Sequence, residues 1–174
     1  MSVLNYWPLL AAYLIGSLPF GYLLPLWLRG KDVRAEGSGN IGSTNVLRTQ
    51  GKALGAAVQI LDVLKGVGAA WLCRAQLSGQ LGPLPDDAVA TLGSLLAVLG
   101  HCFPVWLKFR GGKGVNAGVG GMLLASWLTA VLALATFAVV LLKWRMVSLA
   151  SIVGSISFLA WAALVTVLHG PSSW

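Results

Sequence analysis

Apolar residues run without a charge over Leu4–Leu28, Val89–Val105, Val115–Leu142 and Val147–Leu168. A fifth run, Leu54–Leu72, is interrupted only by Asp62 and Lys65. Each is long enough to cross, or nearly cross, a hydrocarbon core of about 30 Å. The strict apolar/polar alternation of a membrane barrel is absent, and the runs are continuous in Leu, Ala and Val, so helices are the spanning form. The expected fold class is all-α, a polytopic transmembrane helix bundle forming one integral-membrane domain over residues 1–174.

The runs differ in their interiors. The first contains Pro8 near its start and Pro19 within the span, where a missing backbone N–H predicts a kink. Gly16 and Ser17 would let another helix pack closely. Val115–Leu142 poses a counting problem, because one long helix would put Lys113 and Lys143 on opposite faces of the membrane. Two short or tilted helices turning near Ala125-Ser126-Trp127 keep both on one side. The count is then six helices, two of them short.

Composition agrees: 57% of the chain is hydrophobic, 10% is charged and the mean hydropathy is +0.80, which excludes an ordinary water-soluble domain. A net charge of +7 could suggest nucleic acid, but the basic residues sit beside membrane segments. Arg29, Lys31, Arg34, Arg48 and Lys52 follow the first run, Lys108, Arg110 and Lys113 follow the third, and Lys143 with Arg145 precede the last. The positive-inside rule puts all three groups on the cytoplasmic side. The loop Arg74–Ala88 sets one arginine against Asp86 and Asp87, as the outer face does. Nothing basic precedes Arg29, so the N-terminus is expected outside, and Met1–Leu28 does not read as a cleaved signal peptide. Cys73 and Cys102 fall near opposite membrane faces and read as small buried residues without a disulfide.

The polar chemistry gathers in the inner loops. Gly100-His101-Cys102-Phe103-Pro104 leads to Arg110-Gly111-Gly112-Lys113-Gly114, where glycines can turn successive N–H groups into one concavity beside a cation, ahead of a helix expected to begin near Val115. A phosphate is the natural guest. The loop Arg29–Gly51 carries Gly37-Ser38-Gly39-Asn40-Ile41-Gly42-Ser43-Thr44-Asn45-Val46-Leu47-Arg48, rich in short donors and poor in apolar area. Its Gly37, Gly39 and Gly42 satisfy G-x-G-x-x-G, but a transmembrane helix precedes them where a dinucleotide site needs a strand. Asp62 and Lys65 share one helix face and can pair, which suits either a functional or a structural role. Ser148 and Ser151 open the last helix, where Ser148 can cap the helix or face a ligand.

Together these three loops resemble the bacterial acyl-phosphate:glycerol-3-phosphate acyltransferases, from the first helix to the sixth. The motifs that carry the resemblance are residues 37–46 with Arg48, Gly-His-Cys-Phe-Pro at 100–104 running to Phe-Arg-Gly-Gly-Lys-Gly-Val at 109–115, and Val-Ser-Leu-Ala-Ser at 147–151. The resemblance implies a site in the bacterial inner membrane, facing the cytoplasm. There a fatty acyl group passes from acyl phosphate to the sn-1 hydroxyl of glycerol 3-phosphate, giving lysophosphatidic acid.

Residue by residue, it implies catalytic positions at Ser38, Arg48, Lys113 and Ser148. Substrate-phosphate-binding positions fall at Gly37, Gly39, Asn40, Thr44, Asn45, His101, Gly111, Gly112 and Gly114. No cofactor or metal is implied. The partners are glycerol 3-phosphate, fatty acyl phosphate, membrane lipid and the soluble enzyme that makes acyl phosphate, with no nucleic acid. The family resembles a seven-helix bundle with a histidine, an asparagine and a glutamate after its last helix. This chain ends earlier, and His169 has no matching asparagine, which puts the C-terminus outside and describes a fragment, a truncated gene or activity without that part.

An acyl phosphate is already an activated carbonyl, so no acyl-enzyme intermediate is expected and Cys102 is not read as a nucleophile. The competing readings are an inactive or truncated member acting as a membrane subunit, and a small anion transporter. The transporter would call for ionisable residues lining a path, yet the intramembrane charges are Asp62 and Lys65.

Overall fold

A computed structural model describes the chain from Tyr6 to His169, and all of its regular structure among those residues is helical. The readings placed on Leu4, on the N-terminus, on Gly170-Pro171 and on the His169 side chain lie outside the described residues. Eight α-helices follow one another: α1 Trp7–Ser17, α2 Phe20–Arg29, α3 Ser43–Gln50, α4 Lys52–Leu77, α5 Asp86–Cys102, α6 Val115–Ala125, α7 Trp127–Trp144 and α8 Val147–His169.

Helices α1 and α2 are together long and apolar enough for one span and are bent by 44° at the break between them. Pro19 sits in the break and cannot supply the N–H that would carry the helix through. The span restarts at Phe20 and ends at Gly30, in the left-handed conformation that closes helices. Helices α4, α5, α7 and α8 are each long and apolar enough to cross a membrane.

The chain turns at Ser126, between α6 and α7, but the two helices are unequal. The 11 residues of α6 rise about 16 Å, whereas the 18 of α7 rise about 27 Å, close to a full hydrocarbon core. Only α6 is therefore short, not both. Exposed Trp127 and Trp144 bracket α7, as aromatic residues do at the two membrane interfaces. The loop expected over Arg29–Gly51 is also not wholly irregular: it contains a short 3-10 turn at Val33–Ala35 and the helix α3.

The chain divides into two compact units, Met1–Gly121 and Met122–Trp174. In the first, α1, α4 and α5 enclose Ala12, Ala69, Cys73, Leu77, Val89 and Ala97. Their backbones approach closely through small residues. A Cβ on Gly16 would collide with the Ala97 backbone, and one on Gly100 with Tyr13 and Ser17. Helix α6 enters the same unit by packing Gly120 on Val63 and Ala117 on Gly66 of α4. In the second unit α7 packs on α8, where Trp161 Nε1 donates to Thr136 Oγ1 at 3.2 Å. Outward faces carry Leu10, Ile60, Leu64, Leu95, Leu142, Ile156 and Val167, all exposed, as helices solvated by lipid do. Cys73 is buried and Cys102 only partly so, and both are free.

Candidate functional site

The polar loop between α2 and α4 is built around Asn45. Its side chain is 3% exposed. Its Oδ1 accepts the Ser38 N–H at 2.9 Å, and its Nδ2 donates to the carbonyls of Val33 at 3.2 Å, Glu36 at 3.1 Å and Asn40 at 2.9 Å. One amide thus holds four points of a loop that has little apolar area of its own. Gly37 lies directly over that amide at φ 59°, where a Cβ would collide with Asn45 Oδ1. Asn40 Oδ1 accepts the Gly42 N–H at 2.8 Å, closing the turn into α3. Asn45 has no donor left for a ligand, whereas Asn40 gives the loop only its Oδ1 and keeps its Nδ2. Ser38, Gly39, Thr44 and Arg48 stay on the exposed side.

Two further contacts stiffen the loop. Asp32 accepts from the Arg34 N–H at 2.9 Å and pairs with its guanidinium at 2.6 Å. The bond to Arg34 holds the Asp32 carboxyl below its ordinary range, and the carboxylate in turn raises the arginine. Buried Gln50, at the end of α3, donates to a Glu36 carboxylate oxygen. Gly51, at φ 94°, is both the end of α3 and the start of α4, so α3 folds back until the Leu47 backbone meets Gly55.

The second loop leaves α5 after Cys102 and returns to it. Phe103 O accepts the Tyr13 hydroxyl at 2.7 Å, and the 3-10 turn Val105–Leu107 follows. Lys108 and Phe109 then take left-handed conformations, at φ 52° and 61°, reversing the chain at a cost few non-glycine residues bear. Gly111 N–H donates back to Cys102 O at 3.1 Å and Gly112 N–H to His101 O at 3.0 Å. Gly112 lies on the imidazole, with no room for a Cβ beside His101 Nε2. Gly114, at φ 74°, packs on Val98 and Cys102, and α6 starts at Val115. Lys113 is exposed at the tip, ahead of the positive end of α6.

The two loops stand on one floor. Val33, Ile41, Val46, Leu54 and Val58, from the first loop and α4, enclose Leu107 of the second. Asn116, the second residue of α6, donates its Nδ2 to Ser43 Oγ at 3.0 Å, joining the starts of α3 and α6. The structure thus brings the loop bearing Ser38, Thr44 and Arg48 together with the one bearing His101, Gly111, Gly112, Lys113 and Gly114. Ser148, exposed in the first turn of α8, belongs to the second unit. Ser43, Gln50 and Asn116 were not picked out from sequence. The signal for Asn116 was a lone amide in an otherwise apolar run, three residues after Lys113.

Beneath the second loop lies a buried ionic group. Lys65 Nζ is 2.9 Å from Asp62 Oδ1 and donates to Leu18 O at 2.9 Å. His101 Nδ1 is 3.6 Å from the same carboxylate oxygen.

Comparison with known proteins bears on the family of the whole chain. The sequence profile described as glycerol-3-phosphate acyltransferase matches residues 6–172. A glycerol-3-phosphate acyltransferase of Desulforamulus reducens is 44% identical over 158 residues, covering 90% of this chain and 75% of that protein. The crystal structure of PlsY (YgiH), an integral membrane glycerol 3-phosphate acyltransferase, in its glycerol 3-phosphate form, superposes with a TM-score of 0.79 at 35% identity. That match covers 95% of this chain and 78% of PlsY. The lysophosphatidic acid form gives a TM-score of 0.74 at 33% identity, covering 95% and 77%. With a family profile spanning nearly its whole length, and relatives alike in sequence and in helical architecture, the chain belongs to the glycerol-3-phosphate acyltransferase family of integral membrane enzymes.

Proposed function

We propose that residues 1–174 act as one acyltransferase domain in the bacterial inner membrane. The domain moves a fatty acyl group from acyl phosphate to the sn-1 hydroxyl of glycerol 3-phosphate and releases lysophosphatidic acid and phosphate. The observation that carries the reading is the shared floor of the two polar loops, pinned by Asn116 and Ser43. It sets a lysine-bearing glycine loop beside an arginine-bearing one, as a reaction between two phosphate-bearing molecules requires. PlsY has been crystallised in glycerol 3-phosphate and lysophosphatidic acid forms, which are the substrate and product of this scheme.

In the proposed reaction Lys113 and Arg48 neutralise the two phosphates. Loop N–H groups around Gly37, Gly39, Gly111, Gly112 and Gly114, with the hydroxyls of Ser38 and Thr44, stabilise phosphate oxygens and the oxyanion that develops on the carbonyl, and a catalytic part for Ser148 rests on the family resemblance of its motif. Asn40 offers its Nδ2 to a phosphate oxygen, while Asn45 serves through the loop it shapes and His101 through the loop it underlies. The hydroxyl oxygen attacks the acyl carbon, the carbon–oxygen bond to phosphate breaks, and a phosphate oxygen of a substrate takes the hydroxyl proton. Holding both reactants in line supplies much of the rate. The site faces the cytoplasm and the N-terminus lies outside. Support comes from α4, whose 26 residues span about 39 Å between Lys52 at one end and the Arg74–Asp87 pair at the other. The acyl phosphate arrives from the soluble enzyme that makes it.

Purified protein in lipid, given glycerol 3-phosphate with acyl phosphate, acyl-CoA or acyl carrier protein in parallel, tests this. Lysophosphatidic acid is expected from acyl phosphate alone, and its formation is expected to fall at least 100-fold in Lys113→Ala. Equal use of a thioester donor, or turnover indifferent to Lys113, would overturn the reading.

A further inference from the structure

The proposed reaction uses neither Asp62 nor the ring nitrogens of His101, yet their geometry gives them a part. Asp62, Lys65 and His101 are 1%, 5% and 5% exposed. The Lys65 ammonium pairs with Asp62 Oδ1 at 2.9 Å and turns another of its three N–H groups to Leu18 O. Asp62 Oδ2 and the Nδ1 of His101 are left without a hydrogen-bond partner among the described residues, and Nδ1 faces Oδ1 at 3.6 Å.

A neutral imidazole can present either an N–H or a lone pair at Nδ1. In a buried site with little solvent screening, a carboxylate repels the lone pair and attracts the N–H. The tautomer selected has its proton on Nδ1, and the ring turns that edge toward Asp62. The opposite edge, Nε2, is the one on which Gly112 is packed, while the main chain of His101 accepts the Gly112 N–H at 3.0 Å. His101 therefore holds Gly112 through both side chain and backbone, one residue before Lys113.

We propose that Asp62 is a positioning residue for the Gly111–Gly114 loop, fixing the Nδ1-protonated tautomer of His101 so that the ring supports Gly112 and places Lys113 for a substrate phosphate. The proposal deepens, and rests on, the reading of that loop as a phosphate site. Lys65 is the cation paired with Asp62, and it is tied to the break between α1 and α2.

The chain has two histidines, so His169→Gln leaves His101 as the single imidazole for ¹⁵N NMR of the labelled full chain in lipid. At neutral pH the Nδ1-protonated form is expected, the reverse of free histidine. Removing both charges with Asp62→Leu and Lys65→Met is expected to shift the ring toward the Nε2-protonated form. In the same variant the KM for one of the two phosphate-bearing substrates is expected to rise at least tenfold, with kcat changed less than threefold. An Nε2-protonated ring in the chain that retains Asp62 overturns the proposal, whether or not the double variant folds. An unshifted ring in a folded double variant, or a shifted ring with both KM values unmoved, overturns it as well. The spectrum is read without turnover, so a failure of the acyl-transfer reading leaves the tautomer result standing and is seen separately in the donor assay.

Discussion

Lys65, inside the membrane span α4, donates its ammonium to the Leu18 carbonyl 2.9 Å away, at the point where Pro19 breaks the first span. A broken helix leaves carbonyls that lipid cannot satisfy. Here the partner comes from a neighbouring helix, and its charge is balanced by Asp62 on the same face. Lys65→Met therefore removes a backbone partner and strands a buried carboxylate, with an expected loss of about 3 kcal/mol. The double variant Asp62→Leu/Lys65→Met is expected to lose less than Lys65→Met alone. Reversible unfolding in mixed micelles, compared across the single and double variants, measures the difference. Additive losses would refute the pairing.

Asn45 is the hub of the first polar loop. Asn45→Asp keeps its size and its bond from Ser38 N–H but loses the donors to three carbonyls and sets a charge among them. A loss of about 2 kcal/mol in stability is expected, together with a drop in activity of at least tenfold. Protease cleavage within residues 29–51 should rise in step, and a loop as resistant as that of the unmodified chain would contradict the hub role.

The bond between Asn116 and Ser43 is what ties the two loops at their polar edge. Ser43→Ala and Asn116→Ala are each expected to cost about 1 kcal/mol. In the double-mutant cycle the two losses should couple by about 0.5–1 kcal/mol, since both remove the same contact. Activity of either single variant is expected to fall mainly through KM. A coupling energy of zero would mean that the loops are held together by the apolar floor alone.

The two glycines that flank Val67 give a sharp contrast. A Cβ at Gly66 would run into the Ala117 backbone of α6, whereas one at Gly68 meets nothing within 4 Å. Gly66→Ala is expected to destabilise by about 1–3 kcal/mol, and Gly68→Ala to be neutral or to stabilise by as much as about 1 kcal/mol through helix propensity. Thermal unfolding of the pair in lipid reads this directly, and equal behaviour would show that α6 does not approach α4 as described.

How much of this was legible beforehand follows from the range of each interaction. The long apolar runs determined the helical membrane fold by themselves, because lipid offers backbone groups no partner outside a helix. Pro19 marked the bend, the unequal charge of the connections asked for a turn at Ser126, and the glycines around Lys113 at 111–114 marked a loop ahead of a helix, all from neighbours in the chain. Only the tertiary structure decided the rest. Helix α3 is short and polar, with Ser43, Thr44, Asn45, Arg48 and Gln50 in eight residues, so no apolar period announces it. It forms because Val46 joins the buried floor and the Leu47 backbone rests on Gly55. The sequence could not separate the asparagine that binds the loop from residues free to meet a substrate, since both are short polar side chains in one motif. Nor could it pair Ser43 with Asn116, or Asp62 with His101, because such pairs are set by how helices cross and not by spacing along the chain.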